Sequence, residues 1–227
     1  MASSTRTKSP QKGSKSKSGR RLPPKVKSGP EIPMLPIAVG GILVALAIGI
    51  LIYIFVNTRP STPPTAAGIP CDQLEHTQVH YHAAIQIIYQ GNVHPIPANL
   101  GIVTDPTTGS ATCFYWLHVH AQNPDVIHIE SPADQSFSLS QFFAVWSAWG
   151  GTKQPLDATH VSTFTLTPDE KLVVYVDAND GKGPQLFTGD PNTIVLKAHE
   201  VISLEITSGP PTPPPGFDWN SATNKGL

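Results

Sequence analysis

The stretch CFYWLHVHAQNPDVIHIE, residues 113–130, carries His118, His120 and His128, and HYHAAIQIIY just upstream supplies His80 and His82. The chain has nine histidines, none of them before residue 76. Neutral imidazole nitrogens coordinate Zn²⁺ or Cu²⁺ at about 2.0–2.1 Å, provided that several converge on one point. Spacing decides whether they can. In a strand, residues two apart share a face, so His118 and His120 point one way, as do His80 and His82.

Convergence of His128 with His118 and His120 depends on register. If His120 faces Val126 across a five-residue loop, His118 faces His128 and Trp116 faces Glu130. The same register puts Leu117 and Val119 beside Ile127 and Ile129. A slip of one residue would mix apolar and polar side chains on both faces, which burial of one face forbids. The apolar pattern therefore brings three imidazoles together without reference to any metal. A lone histidine on a half-solvated sheet needs no function, and His94, His160 and His199 are read that way. His76 shares parity with the first pair but sits near the strand start. Two His-x-His pairs plus His128 form a metal-ligand pattern, with either one site or two. Glu130, on the same face, would be a partner of the ligands.

Cys71 and Cys113 precede the two histidine-bearing strands. Outside the cytoplasm an even pair suggests a disulfide, and a bridge here would tie those strands together. The rival is a cysteine ligand. A blue-copper site would also want a nearby methionine, yet Met1 and Met34 are the only two and both lie outside the domain. The disulfide is the reading adopted.

The elements that position these residues are mostly strands. Val79, Tyr81, Ala83, Ile85, Ile87 and Tyr89 alternate with more polar positions, and QGN then turns the chain into a hairpin. A second hairpin joins CFYWLHVH to VIHIE. SLSQFFAVWSAWG reads as a short helix with Ser138 as cap and Gly150–Gly151 as stop. KLVVYVDA, TIVLKA and EVISLEI are expected strands. Charged residues are only 14% and Pro numbers 24, a balance that favours short strands and turns. The fold class expected is mainly β with one short helix, a sandwich or a β-grasp-like sheet, preceded by a single transmembrane helix.

That helix is MLPIAVGGILVALAIGILIYIFV, residues 34–56, which is uncharged and long enough to span about 30 Å of hydrocarbon. A cleaved signal would have a shorter apolar region followed by small residues. Residues 1–33 hold nine Lys or Arg against Glu31 alone. By the positive-inside rule they stay in the cytoplasm, leaving the rest outside as the C-terminal domain of a single-pass membrane protein. The Ser/Lys/Gly/Pro-rich tail is expected to be disordered. It has no aromatic residue for base stacking, so attraction to anionic lipid is preferred and no nucleic acid partner is expected. Gly41, Ala45 and Gly49 make a small-residue face through which two helices could form a homodimer. The expected organisation is a basic tail 1–33, the helix 34–56, a Pro-rich linker 57–70, a His-rich β domain 71–207 and a flexible Pro-rich tail 208–227.

HYHAAIQIIYQGNVHPIPANLGI, CFYWLHVH, VIHIESP and SLSQFFAVW together resemble a family of membrane-anchored or secreted His-rich domains of bacteria and archaea. Its form is H-x-H…IPA-x-IGI…C-x-YWLH-x-H…IHIE-P…FFxxW. The similarity covers about residues 70–150, with a weaker echo in LKAHEVISLEI. The turn in HVHAQNPDVIHIE departs from the pattern, being longer and poorer in glycine. The resemblance implies site positions rather than an activity.

Two function classes follow, with a third as the plain alternative. The first is a metal-binding module for Zn²⁺ or Cu²⁺ on the outer face of a membrane. The second is a zinc enzyme whose three histidines leave a position open for an activated water, with Glu130 as base; it would be a hydratase or hydrolase. The third is a surface interaction domain without metal, with Trp116, Trp146 and Trp149 as core. No nucleophile elbow, phosphate loop, HExxH helix or dinucleotide fingerprint is present. Binding without turnover is the reading preferred.

Overall fold

A computed structural model describes residue 29, residues 34–57 and residues 65–227. Apart from Gly29, the basic tail 1–33 lies outside the described residues, as does most of the linker 57–70. The chain divides into two units, Met1–Pro60 and Ser61–Leu227.

In the first unit, α1 (Met34–Asn57) has an apolar segment Ala38–Val56 with a mean hydropathy of 2.8 and none of it buried. A helix apolar on every side has no polar face to turn to water, and this one is long and apolar enough to cross a membrane. Gly41, Ala45 and Gly49 recur at every fourth residue along it.

The second unit is mainly β. In chain order its elements are β1 (Cys71–Asp72), β2 (Val79–Tyr89), β3 (Asn92–His94), β4 (Ile102–Thr104), β5 (Ala111–Tyr115), β6 (Leu117–His118) and β7 (Val126–Ser131). Next come α2 (Leu139–Gly150), β8 (His160–Val161), β9 (Phe164–Thr165), β10 (Lys171–Asp177), β11 (Gln185–Phe187) and β12 (Val201–Thr207). The main sheet runs β11-β10-β12-β2-β7-β6, with β3 also paired to β2; β1-β5-β4 and β8-β9 form two smaller sheets. Strand β12 lies parallel to β2, while β7 and β3 run antiparallel to it.

Alternation of side chains sorts the main sheet into two faces. Ala83, Ile85 and Ile87 of β2, Ile127 and Ile129 of β7, Leu117 of β6 and Ile202, Leu204 and Ile206 of β12 all join one buried cluster. Helix α2 supplies Leu139, Phe142, Phe143, Val145 and Trp146 to that cluster, so it packs on this face. The Ser138 N–H donates to Gln141 Oε1 at 3.0 Å at the helix start, and Gly151 ends the helix at φ 66°, where glycine has no Cβ to clash. Of the three tryptophans expected in the core, Trp146 is buried, while Trp116 and Trp149 pack against it half-buried. Ala66 and Ile69, upstream of Cys71, are buried in the same cluster.

The opposite face carries the polar members. Its half on β12 and the end of β2 includes Gln86, Ser203 and Glu205, with Ser203 Oγ donating to Gln86 Oε1 at 3.0 Å. Segment 208–227 has no helix or strand, but Thr212 Oγ1 donates to Glu205 Oε1 at 3.2 Å and the His199 ring meets the Leu227 carbonyl at 2.8 Å. The other half, on β2, β7 and β6, holds the histidines.

Two local expectations need correction. TIVLKA is not a strand: it follows a 3₁₀ turn at Pro191–Thr193 and makes one isolated bridge, Val195 to Ser138. Its apolar residues Ile194 and Leu196 instead plug the start of α2, where Leu139 N–H donates to Ile194 O and Leu196 N–H to Phe137 O. The strand CFYWLHVH is broken at Trp116, so β5 joins the small sheet and β6 the main one.

Candidate metal centre

Strand β7 is the middle of a three-strand row. His128 pairs with His82 of β2 on one side and with His118 of β6 on the other. Two residues along, His80 pairs with Glu130, whose N–H donates to the Trp116 carbonyl at 2.9 Å. The expected register, His118 to His128, is therefore the one present. The ladder stops at His118, however. The loop begins by His120, where Asn123 N–H donates to His120 O at 3.2 Å, and no His120–Val126 pair forms. Even so, His120 Nε2 comes to 3.3 Å from His118 Nε2.

The short β6 is held from behind. Tyr115 N–H donates to Gly101 O, Val119 N–H to Leu100 O, and Ala121 N–H to Asn99 Oδ1 at 3.0 Å. Gly101 has φ +82°, and a Cβ there would lie 2.7 Å from Leu117 O and 2.9 Å from His118 Cβ. Glycine is what allows this turn to press against the His118 backbone.

The ring nitrogens face one another. His80 Nε2 is 3.0 Å from His82 Nε2, and His82 Nε2 is 3.1 Å from His128 Nδ1. Ligand atoms on a tetrahedral ion with bonds of about 2.0–2.1 Å stand about 3.3 Å apart, so this spacing suits a shared cation. Hydrogen bonds alone serve it poorly, because His82 Nε2 has one site to offer two nitrogens. His118 Nδ1 is 2.8 Å from the Tyr115 carbonyl, which can only accept; Nδ1 therefore carries the hydrogen and Nε2 presents its lone pair. His128 Nε2 and Glu130 Oε2 are buried with no hydrogen-bond partner. Leaving such atoms unsatisfied costs about 1–3 kcal/mol each, a cost that a bound cation would remove.

Burial also favours the neutral form of His82, His120 and His128. His82, His118 and His128 are buried, as is Glu130; His120 is half-buried and His80 exposed. Burial pushes His82 down to about 3, helped by His128 and His80 beside it. His120 and His128 are lowered first by burial as well, against which Glu130 pulls His128 upward. A neutral imidazole is the form that binds metal.

Within the described residues, two groups have the makings of a metal site: His118, His120, His128 and Glu130, and His80, His82 and His128. All five histidines expected as ligands are in one group or the other, and Glu130 joins them. His76, His94, His160 and His199 are in neither. His76 is bound to Asp72 at 2.7 Å, and His160 lies beside Asp157.

Cys71 and Cys113 form a disulfide that joins β1 to β5. From the loop after it comes a residue that sequence reasoning missed. Glu75 Oε1 stands 3.5 Å from His118 Nε2 and 3.3 Å from His120 Nε2, over the open side of that pair. Its contact with His118, with His120 and His128 nearby, holds its carboxyl below the usual range. Asp72 fixes the same loop: the Trp116 Nε1–H donates to its Oδ2 at 2.7 Å.

No family model matches the chain, and neither a curated protein nor a solved structure does.

Proposed function

We propose that the globular unit is a metal-binding module for Zn²⁺ or Cu²⁺, held at the outer face of a membrane by α1 with the basic tail in the cytoplasm. The observation that carries the metal reading is the row His82–His128–His118 across three adjacent strands, with His82 Nε2 3.1 Å from His128 Nδ1, His80 Nε2 3.0 Å from His82 Nε2 and His118 Nε2 3.3 Å from His120 Nε2. The nine basic residues before an uncharged helix support the orientation. Membership of the His-rich membrane-anchored family is part of the proposal and rests on the motifs alone.

Titration of the full chain in detergent with Zn²⁺, read by elemental analysis after desalting, tests the reading. Stoichiometric binding is expected. His118→Ala and His128→Ala should each bind less metal than the wild type, because removing one convergent ligand weakens the hold of the others. His160→Ala should not. Small, equal losses from every histidine would mark independent surface residues and sink the proposal.

A further inference from the structure

The metal-binding reading leaves open how many ions the five histidines serve. We infer that the module holds two ions, with the imidazole of His128 bridging them. The inference rests on that reading and sharpens it.

The donors do not form a single group. They separate into His118, His120, His128 and Glu130 on one side, and His80, His82 and His128 on the other, with ligand atoms in each within 4.8 Å of one another. Two atoms bound to one ion at about 2.0–2.1 Å can be at most about 4.2 Å apart, so six donors spread over two such groups exceed the reach of one ion. His128 is the residue common to both groups.

A histidine ring has two nitrogens that point in diverging directions. On His128, Nδ1 is turned to the group of His80 and His82, 3.1 Å from His82 Nε2. Its Nε2 is buried and has no partner at all. The rings of His118 and His120 flank that of His128, with centroids at 5.5 and 4.4 Å. His118 already commits Nδ1 to the Tyr115 carbonyl, so its free lone pair is on Nε2, beside His120 Nε2. Glu75 Oε1 adds an anionic donor near this pair. Glu130 repeats the half-used pattern: Oε1 lies 3.2 Å from His80 Nε2, while Oε2 is buried and unpartnered. Each group thus has two histidines of its own, a carboxylate beside one of them and a share in His128, whose Nε2 is left to serve the second.

Proton balance is simple. The first ion takes the lone pair of neutral His128. The second forms a bond to the other nitrogen as its N–H bond breaks, and the proton leaves to solvent. The ring becomes an imidazolate between two cations, and no electron is transferred.

Cu²⁺, with one unpaired electron, is the probe. The full chain in detergent is titrated with Cu²⁺ alone, following bound copper by elemental analysis and spin by integrated electron paramagnetic resonance. Two ions per chain are expected, with spin rising to the first equivalent and falling as the second enters, because a bridging ring couples the two electrons. His80→Ala/His82→Ala and His118→Ala/His120→Ala should each bind one ion with its full spin. Two ions with two full spins would overturn the bridge. One ion per chain would overturn the pair yet leave the metal-binding reading standing, and no bound ion would remove both. The wild-type titration decides even if a variant fails to fold.

Discussion

His82 and His128 sit directly opposite each other on antiparallel strands, their ring nitrogens 3.1 Å apart on the face away from the helix. Both rings are buried, and His82 Nε2 meets imidazole nitrogens at both of its contacts, while Glu130 Oε1 lies 3.7 Å from His128 Nδ1. Folding therefore selects the neutral form of His82, and the acid behaviour of the metal-free protein follows from that choice.

In the unfolded chain His82 titrates near 6.5; in the fold it is pushed down to about 3 by burial and by His128, His80, His199 and His118 around it. Its contribution to stability is complete above about pH 6.5 and is lost as pH falls from there toward about 3, since the unfolded state binds the proton first. His120 and His128 act in the same direction. Asp125 and Glu200, whose carboxyls burial pushes up, oppose them in the upper carboxylate range. Urea unfolding of the chelated protein should show a midpoint that falls between pH 6.5 and 5. A midpoint flat over that window would contradict the buried neutral cluster. Added Zn²⁺ should raise the midpoint at pH 7 and lose its effect in acid as protons compete for the same nitrogens.

Glu75 reaches the His118–His120 pair from a loop fastened by the Cys71–Cys113 disulfide. Replacing both cysteines by alanine should cost about 2–4 kcal/mol of stability. It should also weaken metal binding more than that loss explains, because Glu75 is released. Glu75→Gln separates the two effects: binding should weaken while the unfolding midpoint changes little. Equal affinity in Glu75→Gln and wild type would remove the carboxylate from the site. Thiol reagents should fail to label the unfolded, unreduced protein.

Gly101→Ala should destabilise the domain by about 1–3 kcal/mol, since a side chain there is strained at φ +82° and drives into Leu117 and His118. The displaced atoms include His118 Cβ, so metal affinity should drop with stability. Gly109→Ala is the control. It shares a positive φ of 71°, yet its Cβ would meet nothing within 4 Å, so stability should fall with affinity preserved.

Protease added to intact cells should digest the His-rich unit and spare the Lys-rich tail if the orientation proposed is right. Release of an intact domain with a new N-terminus near Ala66–Ala67 would instead show that α1 is a cleaved signal.

Much of the centre was legible because strand parity is a strict rule. Leu117, Ile127 and Ile129 had to share a buried side, and that requirement alone aligned His118 with His128. The partnership with His82 was not legible, since no sequence pattern says which strand lies beside β7. Glu75 gave no signal either: a single acidic residue in a polar loop acquires its place only once the disulfide and the Trp116–Asp72 hydrogen bond have fixed that loop. TIVLKA misled because an apolar run serves equally well as a strand or as a plug over a helix start. Ile194 and Leu196 are buried in the second way.

The parallel seam between β2 and β12 sets an order of assembly. Strand β2 meets β3 through a two-residue turn, Gln90–Gly91, with both φ values positive, and β7 lies within the same half of the domain. Its other edge waits for β12, which joins Val201 to Ala84 across a loop on the order of a hundred residues. Closure of so long a loop is slow, and until it happens that edge of β2 is a bare row of N–H and C=O groups. Strands β7 and β6 lie on the other side of β2 from that seam, so a slow closure there would leave the histidine row already paired.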